Sequence, residues 1–173
     1  RSRALDETDM AHVRAAVDWT LKRHNPYPAM ALDRHWTVVK ANDAACFLLS
    51  GAGLAEGDNL LTAMTDGSTF KQAIENWPEV AQHMVVRLRT ESAHLGGDDV
   101  LEEAANALAL TLHEGGHRPN TEQILPAVIP ARYRANGVVF SFFSTLAQFG
   151  TAEDIALAEL KIEMMFPADE FTE

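Results

Sequence analysis

Cysteine is nearly absent. Cys46 is the single thiol in 173 residues, so no intrachain disulfide can form. A chain without disulfides must be held by its core, and a reducing, cytoplasmic compartment is the simple expectation. Long apolar runs are absent too. Stretches such as "VVFSFF" and "MMFP" fall far short of the roughly 20 residues a membrane helix needs. The opening "RSRALDETDM" has no apolar signal-peptide segment, and it starts on Arg rather than Met, so a piece of a longer chain is expected. Basic residues are scarce: 14 Lys and Arg stand against 25 Asp and Glu, a formal net charge of −11. Affinity for phosphates needs clustered cations, and Arg132 with Arg134 is the nearest approach to a cluster. The composition therefore opposes nucleic-acid binding by this segment.

Apolar residues make up 47% of the chain, enough for one globular domain with a full core. Along "DETDMAHVRAAVDWTLKRH", Met10, Val13, Ala16, Val17 and Leu21 recur at helical spacing, with Asp6 or Thr8 available as cap. "NPYP" ends that helix. "AMALDRHWTVV" reads as two strands about a tight turn. Asn42 caps the helix that follows and Gly51 ends it. "NLLTAMTDG" and "STFKQAIEN" read as short helices. Asn76 with Glu79, and Asp99 with Glu102, have capping-box spacing ahead of two longer helices.

Beyond "HRPNTEQ" the composition turns to strands: "ILPAVIPARYR", "VVFSFFSTLAQFG" and "LAELKIEMMFP", the first two joined at Asn136-Gly137. In the last, Leu160, Ile162, Met164 and Phe166 alternate with Glu159, Lys161 and Glu163. The pattern predicts one covered apolar face and one wet face. The order of helix, two strands, several helices and three strands predicts an α+β domain. Its five antiparallel strands carry helices on one face, in the order of a PAS-like fold.

"HEGGH", from His113 to His117, matches the H-E-x-x-H pattern of zinc peptidases. That chemistry needs both histidines on one helical face. Two adjacent glycines inside a helix cost about 2 kcal/mol relative to alanine, and Pro119 follows at once. No third ligand stands at a suitable spacing, since Glu122 is too near and position 123 is Gln. The stretch reads instead as a helix exit, with Gly115 as a left-handed cap. Nothing else points to catalysis, and the sequence predicts no enzyme.

Three segments carry a family likeness: "NPYPAMALDRHWTVVKANDAA", "IENWPEVAQHMVVRLR" and, most specifically, "FSFFSTLAQFGTAEDIALAELKIEMMFPADE". From about Asn25 to Glu170 the chain resembles the C-terminal ligand-binding domain of MmyB-like transcription regulators. The resemblance implies a PAS-like sensory domain over residues 25–173, following a connector or dimerisation helix over residues 1–24. It also implies a phage-repressor-type helix-turn-helix module upstream, through which alone DNA would be contacted. The implied effector is a small, mostly apolar molecule such as a fatty acid, with no other cofactor, and a homodimer is expected.

Such a ligand would lie between the covered sheet face and the helices. The candidate lining residues are Met30, Leu32, Phe140, Phe142, Leu146, Ile162 and Met164 from strands. From helices they are Phe47, Leu61, Met64, Phe70, Ile74, Trp77, Met84 and Leu88. Each could equally be core filling. A carboxylate head group would need Arg87, Arg89, Arg132, Tyr133 or His83, with hydroxyls from Ser141, Ser144 or Thr145. Rival readings are a domain that only dimerises and a haem sensor liganded by His83, His94, Met84 or Cys46. A redox switch at Cys46 is a further rival, though "AACFLL" predicts a buried, inert thiol.

Overall fold

The apolar spacing of Val13, Val17 and Leu21 produces α1 (Glu7–Arg23), with Lys22 and Arg23 against the negative end of its dipole. The computed structural model describes residues 7–116, 128–148 and 160–172, with side chains from residue 11 onward; the expected cap Asp6 lies outside this range. A hairpin of β1 (Ala29–Leu32) and β2 (Val38–Ala41) follows. Its turn is held by Asp33, whose Oδ1 accepts from the backbone N of His35 (3.0 Å) and of Thr37 (2.9 Å).

Four helices lead to a second layer: α2 (Asp43–Gly51), α3 (Leu60–Asp66), α4 (Thr69–Ala73) and α5 (Trp77–His94). Then come α6 (Asp99–Glu114) and three strands, β3 (Ala131–Ala135), β4 (Val138–Ala147) and β5 (Lys161–Pro167). All pairings are antiparallel, in the order β2-β1-β5-β4-β3. This is the expected α+β domain, and its element order is compatible with a PAS-like fold. Asn136 (φ 51) and Gly137 (φ 74) form the tight β3–β4 turn. Strand β3 begins later than the composition suggests. Val128 to Pro130 are not strand, because proline has no N–H for a ladder.

Buried polar side chains fix the joints. Asn42 caps α2 by accepting from Ala45 N (3.0 Å) and also accepts from Ala29 N (3.0 Å). Its amide donates to the carbonyls of Leu21 (3.0 Å) and Tyr27 (2.9 Å), so one side chain ties α1, β1 and α2 together. Three capping expectations are corrected. Asn76 makes no cap bond; its side chain bridges Pro130 O and Arg132 N instead, holding β3 to α5. Asp98, not Asp99, caps α6, accepting from Leu101 N (3.0 Å). Gly115 has φ −77, while Gly116 (φ 79) takes the left-handed position that lets the chain leave α6.

The sheet is covered on both sides of its centre. Met30, Leu32, Phe142 and Met165 pack beneath α2, α3, α5 and α6 in the main core. On the opposite side Ala29, Ala31 and Ile162 pack under Val17 and Leu21 of α1, with Met164 beside them. The face expected for β5 is therefore inverted. Ile162 and Met164 seat α1, and Lys161 and Glu163, expected in water, point toward the helices and are buried. His24 Nε2, just past α1, donates to Met165 O (2.6 Å), which adds a polar tie across the same strand.

Candidate ligand-binding site

Between the helical layer and the sheet lie three adjoining spaces. The innermost is an apolar chamber of about 50 Å³ whose walls include Met30, Met64, Phe70, Ile74, Met84 and Met165. Val80, Met84, Tyr133 and Glu163 also line a second chamber of about 110 Å³, with Phe142, Ser144 and Ala131. That chamber shares His83, Arg87 and Leu146 with an open cleft of about 640 Å³, lined further by Val86, Leu95, Leu101 and Lys161. The turns of α5 position most of this wall: Val80, Met84, Arg87 and Glu91 follow helical spacing, so one face of α5 borders all three spaces.

A charged network stands where the spaces meet. Glu91 Oε1 accepts from Lys161 Nζ (2.8 Å), and its Oε2 accepts from the Trp36 indole N–H (2.8 Å). The Arg87 guanidinium lies over the Trp36 ring, 4.2 Å from its centroid, and Lys161 Nζ lies 5.0 Å from the same centroid. Arg87 reaches Glu163 only at 3.4 Å through Nη1 and Glu91 only at 3.6 Å through Nε. Both are long for charge-assisted bonds. Nε and Nη2 of Arg87 are buried without a hydrogen-bond partner among the described residues. Each such group costs about 1–3 kcal/mol when it stays unpaired.

The environment also shifts the titrating groups around this junction. Burial lowers the Lys161 pKa; the bond and charge of Glu91 oppose that shift. Burial, then the charge of Arg87, lowers His83, so its neutral form is favoured. Tyr133 is pushed well above the ordinary tyrosine range by burial first and by the negative charge of Glu163 second.

The structure sorts the expected site residues into three groups. Met30, Met64, Phe70, Met84, Phe142, Leu146 and Ile74 line the spaces. Leu32, Leu61 and Leu88 are buried core beside them, while Trp77 meets Phe70 edge-on and Phe140 stacks on Phe142. Phe47 is 43% exposed and touches Phe140 at the outer edge, and Met164 lies on the α1 side of the sheet. Of the polar anchors, Arg87, His83, Tyr133 and Ser144 border the cavities. Arg132 pairs outside with Glu75 (2.9 Å), Arg89 meets Asn106, and the backbone N of Ser141 donates to Thr172 Oγ1. Thr145 stands opposite Met164 in the sheet.

Cys46 is exposed, which corrects the expected burial, but desolvation first and the charges of Glu56 and Asp43 next raise its pKa and disfavour the thiolate. His94 borders the open cleft, His113 and Glu114 end α6, and His117 lies outside the described residues. Trp36, Glu91, Lys161 and Glu163 were not expected at the site. The signal available for them was the pair of charges on alternate positions of "LKIEM" facing an Arg87–Glu91 pair one helical turn apart.

Adjoining, mainly apolar spaces between helices and an antiparallel sheet suit a small, mostly apolar molecule. The sequence agrees: residues 13–173 match the MmyB-like transcription regulator ligand binding domain, and the chain belongs to that family. No curated protein and no solved structure matches it. The chain is thus the ligand-binding part of a transcription regulator. No helix among the described residues is long and apolar enough to cross a membrane.

Proposed function

We infer that the chain is the sensory domain of a bacterial, cytoplasmic regulator and binds a small, mostly apolar effector such as a fatty acid. The observation that carries this reading is the row of three adjoining spaces along α5, from an apolar chamber to an open cleft. An amphipathic molecule fits such a gradient, with its chain against Val86, Leu95 and Leu146 and its polar end at the charged junction. The domain performs no catalysis in this reading. It acts as a homodimer, and α1 carries the change to an upstream helix-turn-helix module. Support for pairing through α1 is Trp19, which is 62% exposed and has Arg23 stacked over it. An effector alters dimer geometry only to the extent that it binds two arrangements unequally.

Native mass spectrometry of the purified domain, followed by lipid extraction, tests the reading. The expected result is a co-purifying amphipathic molecule at up to one per chain, or a rise in Tm with added fatty acids. No bound mass and no Tm response across a fatty-acid series would leave dimerisation as its role.

A further inference from the structure

Two polar atoms border the chambers without a bond to make. The Tyr133 hydroxyl forms no hydrogen bond among the described residues. Glu163 gives Oε1 to Arg87 Nη1 at 3.4 Å, and its Oε2 forms none among the same residues. Neither atom is sealed inside the protein. Among the described residues, the side-chain atoms buried without a partner are Nε and Nη2 of Arg87 alone. The hydroxyl and Oε2 therefore both reach open space. The spaces that Tyr133 and Glu163 line are the same two, the first and second chambers. The residues are close enough for the charge of Glu163 to add to burial in raising the Tyr133 pKa, so the phenol keeps its proton. An unused donor and an unused acceptor thus border one pair of chambers.

The rest of the lining decides what joins them. The second chamber holds one cation and one anion, Arg87 and Glu163, and His83 beside them favours its neutral form. A neutral group enters with that balance intact. A carboxylate would bring its charge beside Glu163 Oε2, where like charges repel. A hydroxyl is the smallest neutral group that accepts one hydrogen bond while donating another. The chamber, at about 110 Å³, exceeds the roughly 30 Å³ share of one water, and Val80, Met84 and Phe142 give it an apolar wall.

We propose that the second chamber is a hydroxyl subsite, and that the effector is a neutral apolar alcohol whose O–H donates to Glu163 Oε2 and accepts from Tyr133. The proposal rests on the reading of the domain as an effector sensor and replaces an acid with an alcohol as the group recognised.

Delipidated domain titrated with 1-octanol, 1-octanethiol and octanoate, by calorimetry at pH 7, tests this. The thiol keeps the chain and shape but bonds weakly. Octanol is expected to bind more tightly than octanethiol, although the thiol is the more apolar, and more tightly than octanoate. Tyr133→Phe removes a hydroxyl that no described residue uses, so its Tm should not fall. The variant is expected to weaken octanol about fivefold, the usual worth of a neutral hydrogen bond, and to leave octanethiol unchanged. Octanethiol binding as tightly as octanol would overturn the subsite and leave the sensor reading intact, and so would octanoate binding more tightly than octanol. An octanol affinity untouched in Tyr133→Phe would overturn it too. Failure of all three to bind would overturn the sensor reading and the subsite with it.

Discussion

Glu91 accepts the indole N–H of Trp36 at 2.8 Å, across 55 residues of sequence. The bond matters because the same carboxylate holds Lys161, whose side chain is only 8% exposed. Removing the charge leaves Lys161 and Arg87 to share Glu163. Glu91→Gln is expected to destabilise the fold by about 3 kcal/mol, the range for breaking a buried pair from one side. The double variant Glu91→Met with Lys161→Met should recover most of that loss, because the stranded cation is removed as well. Urea unfolding of Glu91→Met, Lys161→Met and the double closes the cycle. A double variant as unstable as the sum of the singles would show that the two groups do not act as a pair.

The stability of the domain should fall twice on acidification. Burial lowers the pKa of His83, so the unfolded chain takes up its proton first as pH drops below about 6.5, and the fold loses stability there. Burial would raise Asp98, but the hydrogen bonds of His35, Leu101 N and Arg34 and the charge of His35 outweigh it and hold the carboxyl at about 2. Its contribution is complete above about pH 4 and disappears toward pH 2. Urea midpoints from pH 8 to 2 should show both slopes. His83→Gln should flatten the upper one, and Asp98→Asn should lower stability at neutral pH and flatten the lower one.

Gly115 and Gly116 should respond differently to alanine. Gly116 sits at φ 79 with nothing among the described residues near its missing Cβ, so Gly116→Ala meets backbone strain and should cost about 1 kcal/mol. Gly115 has an ordinary helical φ of −77, so Gly115→Ala should be neutral or stabilising by up to about 1 kcal/mol. Thermal unfolding of both variants checks the order. The reverse order would return the left-handed cap to Gly115.

Most elements were legible because their signals are local. The helical stripe of Leu101, Ala105, Leu108 and Leu112 is buried as its spacing requires, and Asn136-Gly137 turns the chain as that pair does elsewhere. The polar half of the site was not legible, because alternation fixes which residues share a face but not which face is inside. In β5 both faces are covered, one by apolar packing under α1 and one by paired charges, and the apolar set seemed the obvious interior. The two-charge face is stable only because Arg87 and Glu91 approach from a helix that precedes it by 70 residues or more. Capping failed in the same way at Asn76, where a distant strand claims the side chain that local spacing assigns to its own helix.

Strand β5 is the last of the five in sequence and the middle one in the sheet. Before it is made, β1–β2 and β3–β4 are two separate hairpins with no hydrogen-bonded neighbour between them. The bond from His24 to Met165 spans 141 residues, and the seat of α1 on Ile162 waits for the same strand. Loop closure of that length is slow relative to hairpin formation. During synthesis, then, the wall of the cavity, the pairing of Lys161 with Glu91 and the docking of α1 all arrive together, with the final strand.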